Sequence, residues 1–153
     1  MISLKRKQHG FTIVELLIVI VVIGILAGLV VTTFSGIQKK ARDSERKTDI
    51  NALHSQLEAY YAQNGKYPTL ANVNDSAWRS TNMKGLDADA LKDPKGAAST
   101  LVGAAAADSY AYAVTTSGGA ACDNAAPATD CGAYVLTATN EGTPATYVKN
   151  SLN

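Results

Sequence analysis

Apolar and polar positions divide the chain into zones. From Phe11 to Val31 it runs through 21 residues that are almost wholly apolar, within a total of 153. Beyond Ile37 the pattern becomes amphipathic. Ile50, Leu53, Leu57, Tyr60 and Tyr61 fall on one stripe at helical spacing, as in a helix packed against a core. No proline occurs between Met1 and Tyr67, so nothing steric ends a helix that begins near Phe11. The stop is marked by Asn64-Gly65 with Pro68 just beyond, where a glycine takes the left-handed position after a helix. The pattern predicts one helix from about Phe11 to Asn64, roughly 80 Å long.

After the helix, residues 66–109 are rich in Ala, Asp, Gly, Asn, Ser and Thr, with a turn signal at "LKDPKG", Leu91 to Gly96. They read as a long connection with one short helix near Asp87 to Leu91. Three strand-like runs follow: Tyr110 to Thr116, Ala133 to Thr139 and Ala145 to Lys149. Asn140-Glu141-Gly142 joins the last two as a hairpin loop. A three- or four-stranded antiparallel sheet that buries one face on the helix stripe makes the fold class α+β with a single core. Cys122 and Cys131 flank "DNAAPATD". They are read as a disulfide worth roughly 2.5–3 kcal/mol by loop closure, the alternative being two reduced thiols. Without a CxxC pair or neighbouring histidines they make a poor zinc site.

Charge changes the picture at the N-terminus. The formal net charge is +1, but Lys5, Arg6 and Lys7 dominate it, and the side chains from Phe11 onward sum to −2. Such a balance gives no support to nucleic acid as the main partner. Phe11 to Val31 as a helix spans roughly 31 Å, enough to cross a bilayer. A cleaved secretory signal is disfavoured, because its apolar part is shorter and ends at small residues. Lys39, Lys40, Arg42, Arg46 and Lys47 follow the span and outnumber the cations before it, so counting alone does not orient it. They are diluted by Asp43, Glu45 and Asp49, and the cysteines favour an oxidising compartment. The N-terminus is therefore read as cytoplasmic and the rest as exported. Lys39 with Asp43, and Asp43 with Lys47, read as solvated pairs four residues apart.

"HGFTIVELLIVIVVIGILA" resembles the leader and N-terminal helix of the type IV pilin family, which includes the pseudopilins, with a short leader of class III type. The matching features are the basic leader ending in Gly10, Phe11 after it, Glu15 as the fifth residue beyond that junction, and the unbroken apolar run. "YYAQNGKYPT", Tyr60 to Thr69, is similar to the helix end of pseudopilins and of pilins of Gram-positive type. The resemblance implies cleavage between Gly10 and Phe11 by a membrane-embedded prepilin peptidase, with N-methylation of Phe11. It also implies assembly of copies of the chain into a helical filament by a cytoplasmic ATPase and a polytopic membrane platform. The implied organisation is a leader over 1–10, a transmembrane and filament-core helix over 11–31, and an amphipathic spine over 32–65. A connecting loop over 66–109 and a sheet with a disulfide loop over 110–153 complete it. The subunit would sit in the cytoplasmic membrane, crossing once with its N-terminus inside, and then in a cell-surface filament.

On this reading Glu15 has a physical purpose. A carboxylate in hydrocarbon costs about 2.5–3.5 kcal/mol at a helix centre and less near an end. In a filament it meets the amine of a neighbour's Phe11 in a water-poor core, where opposite charge counts for more. Gly24 and Gly28 form a G-x-x-x-G pair that permits close helix approach or weakens the helix enough to melt. A pilus subunit serving adhesion, motility or DNA uptake is preferred to a secretion pseudopilin, on the strength of the disulfide loop and the Ala-, Ser- and Thr-rich head. A membrane-tethered binding domain is the alternative of another class. An enzyme is disfavoured: His54, beside Leu53 and Leu57, matches no nucleophile with an orienting acid and reads as a packed residue. Asp87, Asp89 and Asp93 lack the order of an EF-hand loop and read as solvated turn residues rather than a calcium site. No cofactor or metal is expected.

Overall fold

A computed structural model describes residues 10–122 and 131–153. The leader therefore lies almost wholly outside the described residues, as does the segment between the cysteines. Two compact units divide at Gln38 and Lys39. Helix α1, Ile13–Asn64, contributes to both, and Gly65 ends it at φ +69°, with its amide donating to the Tyr61 carbonyl at 2.7 Å.

Within the first unit α1 is apolar and exposed throughout its long hydrophobic window. Within the second, α1 lies under an antiparallel sheet of order β1-β2-β3: β1 Tyr110–Thr116, β2 Cys131–Thr139 and β3 Thr146–Asn150. Register pairs Tyr112 with Leu136 and Thr137 with Val148. Alternation sends Tyr110, Tyr112 and Val114 of β1, and Tyr134, Leu136 and Ala138 of β2, into one core with Ile50, Leu53 and Leu57 of α1. Tyrosines also bind the helix by their hydroxyls. Tyr110 donates to Asp49 at 2.7 Å, Tyr134 to Glu58 at 2.8 Å and Tyr147 to Asn51 at 3.0 Å, so each strand is tied to α1 by at least one polar contact. This satisfies phenols whose burial would otherwise be unfavourable. Tyr60 and Tyr61, at the end of the stripe, are only half-buried.

The connection from 66 to 109 holds more structure than the sequence led us to expect. Besides a 3-10 turn at Ala88–Leu91, where a short helix was anticipated, it contains α2, Leu70–Asn74, and α3, Ser76–Asn82. The Thr69 hydroxyl accepts from the Asn72 amide at 3.2 Å and caps α2, while Asp75 accepts from Ala77 at 2.9 Å and caps α3. Asn74 then fixes the pair to the next segment, exchanging two hydrogen bonds with the Leu101 backbone at 2.8 and 2.9 Å.

Candidate functional site: the N-terminal helix and its ionic anchor

At the start of α1 the residues Thr12 and Glu15 close on each other. The Thr12 amide and hydroxyl both donate to Glu15 Oε2, at 2.8 and 2.7 Å, and the Glu15 amide donates back to Thr12 Oγ1 at 3.2 Å. This is a capping box, in which an N-cap threonine and the acid three residues on satisfy each other's donors. The need is acute for a helix end near hydrocarbon, where water cannot serve. The signal T-x-x-E stands in the sequence at Thr12 to Glu15, so Glu15 caps its own helix besides carrying the charge directed at a neighbour. The cap uses Oε2, and Oε1 meets no donor among the described residues, so holding its own helix and meeting an external amine are compatible.

Gly10 and Phe11 are exposed, Phe11 to 84%. α1 runs unbroken through Gly24 and Gly28, and a Cβ added at either would meet nothing within 4 Å. Nothing among the described residues calls for glycine there. From Ile13 to Ile37 the large apolar side chains of the described residues are exposed, a surface that water does not tolerate at this extent.

Further along the same helix an ionic cluster joins three segments of the second unit. Arg46 lies at the stripe position one turn before Ile50 and is fully buried. Its guanidinium binds Asp93 in a fork, Nε to Oδ2 at 2.7 Å and Nη2 to Oδ1 at 2.9 Å, and reaches Asp43 at 2.8 Å and Glu141 at 3.2 Å. Arg42 binds Glu141 in a second fork at 2.6 and 2.8 Å. Asp43 accepts from the amides of Glu141 and Gly142 at 2.9 and 3.0 Å. Burial alone would raise the Asp93 carboxyl, but the Arg46 hydrogen bonds, the Lys95 amide and the Arg46 charge together hold it below its ordinary value. Arg42, followed by Arg46, lowers Glu141 to about 2, and Arg46 is raised, chiefly by Asp93.

These contacts correct two expectations. Asp93 is not a solvated turn residue: it is 1% exposed. Asp87 and Asp89 are exposed, Asp87 capping the 3-10 turn, and no group of three metal-ligating residues occurs among the described residues. Asp43 does not serve Lys39 or Lys47, because it is committed to Arg46 and the β2–β3 loop. Lys47 instead lies over the Tyr147 ring, 5.3 Å from its centroid. Cys122 and Cys131 are joined by a disulfide, their Cα atoms 5.7 Å apart. His54 is partly buried, with Nδ1 2.7 Å from the Tyr134 hydroxyl.

Residues 5–31 match the model of the prokaryotic N-terminal methylation motif. The chain is 46% identical over 66 residues to the type II secretion system core protein G of Dickeya chrysanthemi, a match covering 43% of each protein. With the protein of that name from Escherichia coli K12 it shares 38% over 87 residues, 57% of this chain and 60% of the relative. With the type IV major pilin protein PilA of Myxococcus xanthus it shares 35% over 66 residues, 43% of this chain and 30% of the relative. The matched stretches thus span less than two thirds of these relatives. No solved structure matches the chain.

Proposed function

We propose that the chain is the structural subunit of a type IV pilus-like filament. It enters the cytoplasmic membrane as a precursor, is cut between Gly10 and Phe11 by a prepilin peptidase, is methylated on Phe11, and is drawn into the filament by an assembly ATPase and membrane platform. The observation that carries this is the methylation motif over residues 5–31, together with a helix from Ile13 onward whose apolar side chains find no cover among the described residues. Residues 11–31 form the filament core, 32–65 the spine, and 66–153 the head that faces outward, closed by the disulfide. Glu15 offers Oε1 to the Phe11 amine of a neighbouring copy. Gly24 and Gly28, where an added Cβ would meet nothing among the described residues, let neighbouring helices approach closely.

A second reading places the filament in a type II secretion-type system. The similarity to core protein G, at higher identity than to the pilin, favours it. Deleting the gene separates the two: loss of surface filaments supports the pilus, whereas loss of exported proteins from the medium with no filament to lose supports the secretion role. Mass spectrometry of the mature chain tests what both share. It should find N-methylated Phe11 at the N-terminus, and an N-terminus elsewhere would overturn the processing.

A further inference from the structure

The five cations that follow the apolar run have different fates in the structure. Arg42 is bound to Glu141, Arg46 to Asp93, Asp43 and Glu141, and Lys47 lies over Tyr147. Lys39 and Lys40 are exposed and make no ion pair among the described residues. The acid placed to compensate them is Asp43, four residues from one and three from the other. It is unavailable, because Oδ1 takes Arg46 and the Glu141 amide while Oδ2 takes the Gly142 amide.

Exposed apolar side chains reach up to this pair. Phe34 is 57% and Ile37 65% exposed. At 1.5 Å per residue, Ile13 to Gln38 makes about 39 Å of helix, close to a whole bilayer with its headgroup regions at about 40–45 Å. The next two residues in the chain are the lysines. Resting on the reading of this helix as membrane-spanning before assembly, we propose that Lys39 and Lys40 bind the phosphates of anionic phospholipids in the leaflet on the exported side. Their flexible apolar stems let the ammonium groups settle at phosphate level, and Phe34 sits where aromatic rings favour the interface. The site fixes the depth of the waiting subunit, and its contacts must break when the helix leaves the lipid for the filament. Each lysine near an anionic surface is worth roughly a 5-fold preference, so the pair together gives roughly 25-fold.

The test uses the full chain purified in mild detergent with equal amounts of phosphatidylglycerol and phosphatidylcholine, the bound lipids being counted by mass spectrometry. The native chain should retain the anionic lipid in excess. Lys39→Gln with Lys40→Gln should cut that excess several-fold, and Lys39→Arg with Lys40→Arg should keep it. Asp43→Asn should leave it unchanged, since Asp43 is turned to the head. Undiminished enrichment in the Gln pair would overturn the proposal by assigning the lipid to the leader cations. A rise in Asp43→Asn would also overturn it by showing that this acid compensates the lysines. Fractionation keeps the underlying reading separate. A native chain found outside the membrane would sink the span itself, whereas an inserted chain with no charge-dependent enrichment would sink only the lipid site.

Discussion

Along Ile13 to Ile37 the large apolar side chains of the described residues are open, Leu16 61% and Leu29 62% exposed, whereas Ile50, Leu53 and Leu57 further along the same helix are fully buried. Both stretches present apolar side chains on a helix, yet among the described residues only the second finds its cover. At about 25 cal/mol per Å² of apolar surface removed from water, the burial free energy of the second stabilises the head. That of the first belongs to lipid or to other copies. Substitutions in the two regions should therefore fail in different assays: those before Gln38 in assembly, and those after Lys39 in the stability of the head.

The largest effect is expected at Glu15. Glu15→Leu makes the span more apolar, so insertion should be undiminished, while a neighbour's Phe11 amine loses its partner in a low-dielectric core. Filament yield should fall sharply at unchanged membrane level, with no change in head melting. Normal filaments from a fully processed variant would sink the pairing. The counterpart in the head is Arg46→Ala, which strands the buried Asp93 carboxylate. Breaking such a pair typically costs about 3–5 kcal/mol, read as a drop in the unfolding free energy of the head by denaturant titration. A loss below about 1 kcal/mol would mean that water reaches Asp93.

What could be read from the sequence divides along the same line. Strands and the long helix were legible because their periods are local, and Gly65 because the left-handed stop has its own residue. α2 and α3 were missed, since helices of five and seven residues are too short to show a period and only their caps, Thr69 and Asp75, announce them. Arg46 was missed for another reason: its partners Asp93 and Glu141 lie 47 and 95 residues away, and no spacing rule reaches that far. The same distance misdirected Asp43, which the helical four-residue rule assigns to Lys39 or Lys47 while the fold assigns it to a loop. A cation at a stripe position was the available warning. The exposed helix was the most legible part, because its apolar run needs no tertiary contact to be recognised.

Replacing Cys122 and Cys131 together by Ser removes a closure with a sequence separation of 9, worth roughly 2.5–3 kcal/mol in the chain-entropy model. The head should lose stability by that order, and membrane insertion should be untouched. Free thiols on non-reducing alkylation of the native protein would contradict the bond itself. A smaller, pH-dependent change is expected from the ionic cluster. Glu141 and Asp93 both have folded values below their ordinary ones, so the stability they add is present above pH 4.5, the ordinary glutamate value. It is lost as pH falls through the folded value, about 2 for Glu141. Head melting should therefore drop between these limits, and Glu141→Gln should flatten the slope; an unchanged slope would remove Glu141 from the cluster's energetics.

The smallest effect tests whether the open helix stabilises anything by itself. Thr12→Ala deletes the hydroxyl that accepts the Glu15 amide and donates to Oε2, a loss of about 1 kcal/mol for an N-cap. That change is confined to the first turn, because the Leu16 amide still has the Thr12 carbonyl at 3.2 Å. In detergent micelles the amides of the first turn should exchange about five-fold faster, since 1 kcal/mol is a factor of about five in an equilibrium constant. Head amides around Ile50 and Leu57 should not respond. Freed from Thr12 Oγ1, the Glu15 carboxylate keeps the Thr12 amide on Oε2 and keeps Oε1 for a neighbour, so filament yield should fall far less than in Glu15→Leu. Equal losses in the two variants would mean that Glu15 serves assembly mainly by capping its own helix, and the difference between them measures how much of its role is directed at a neighbour.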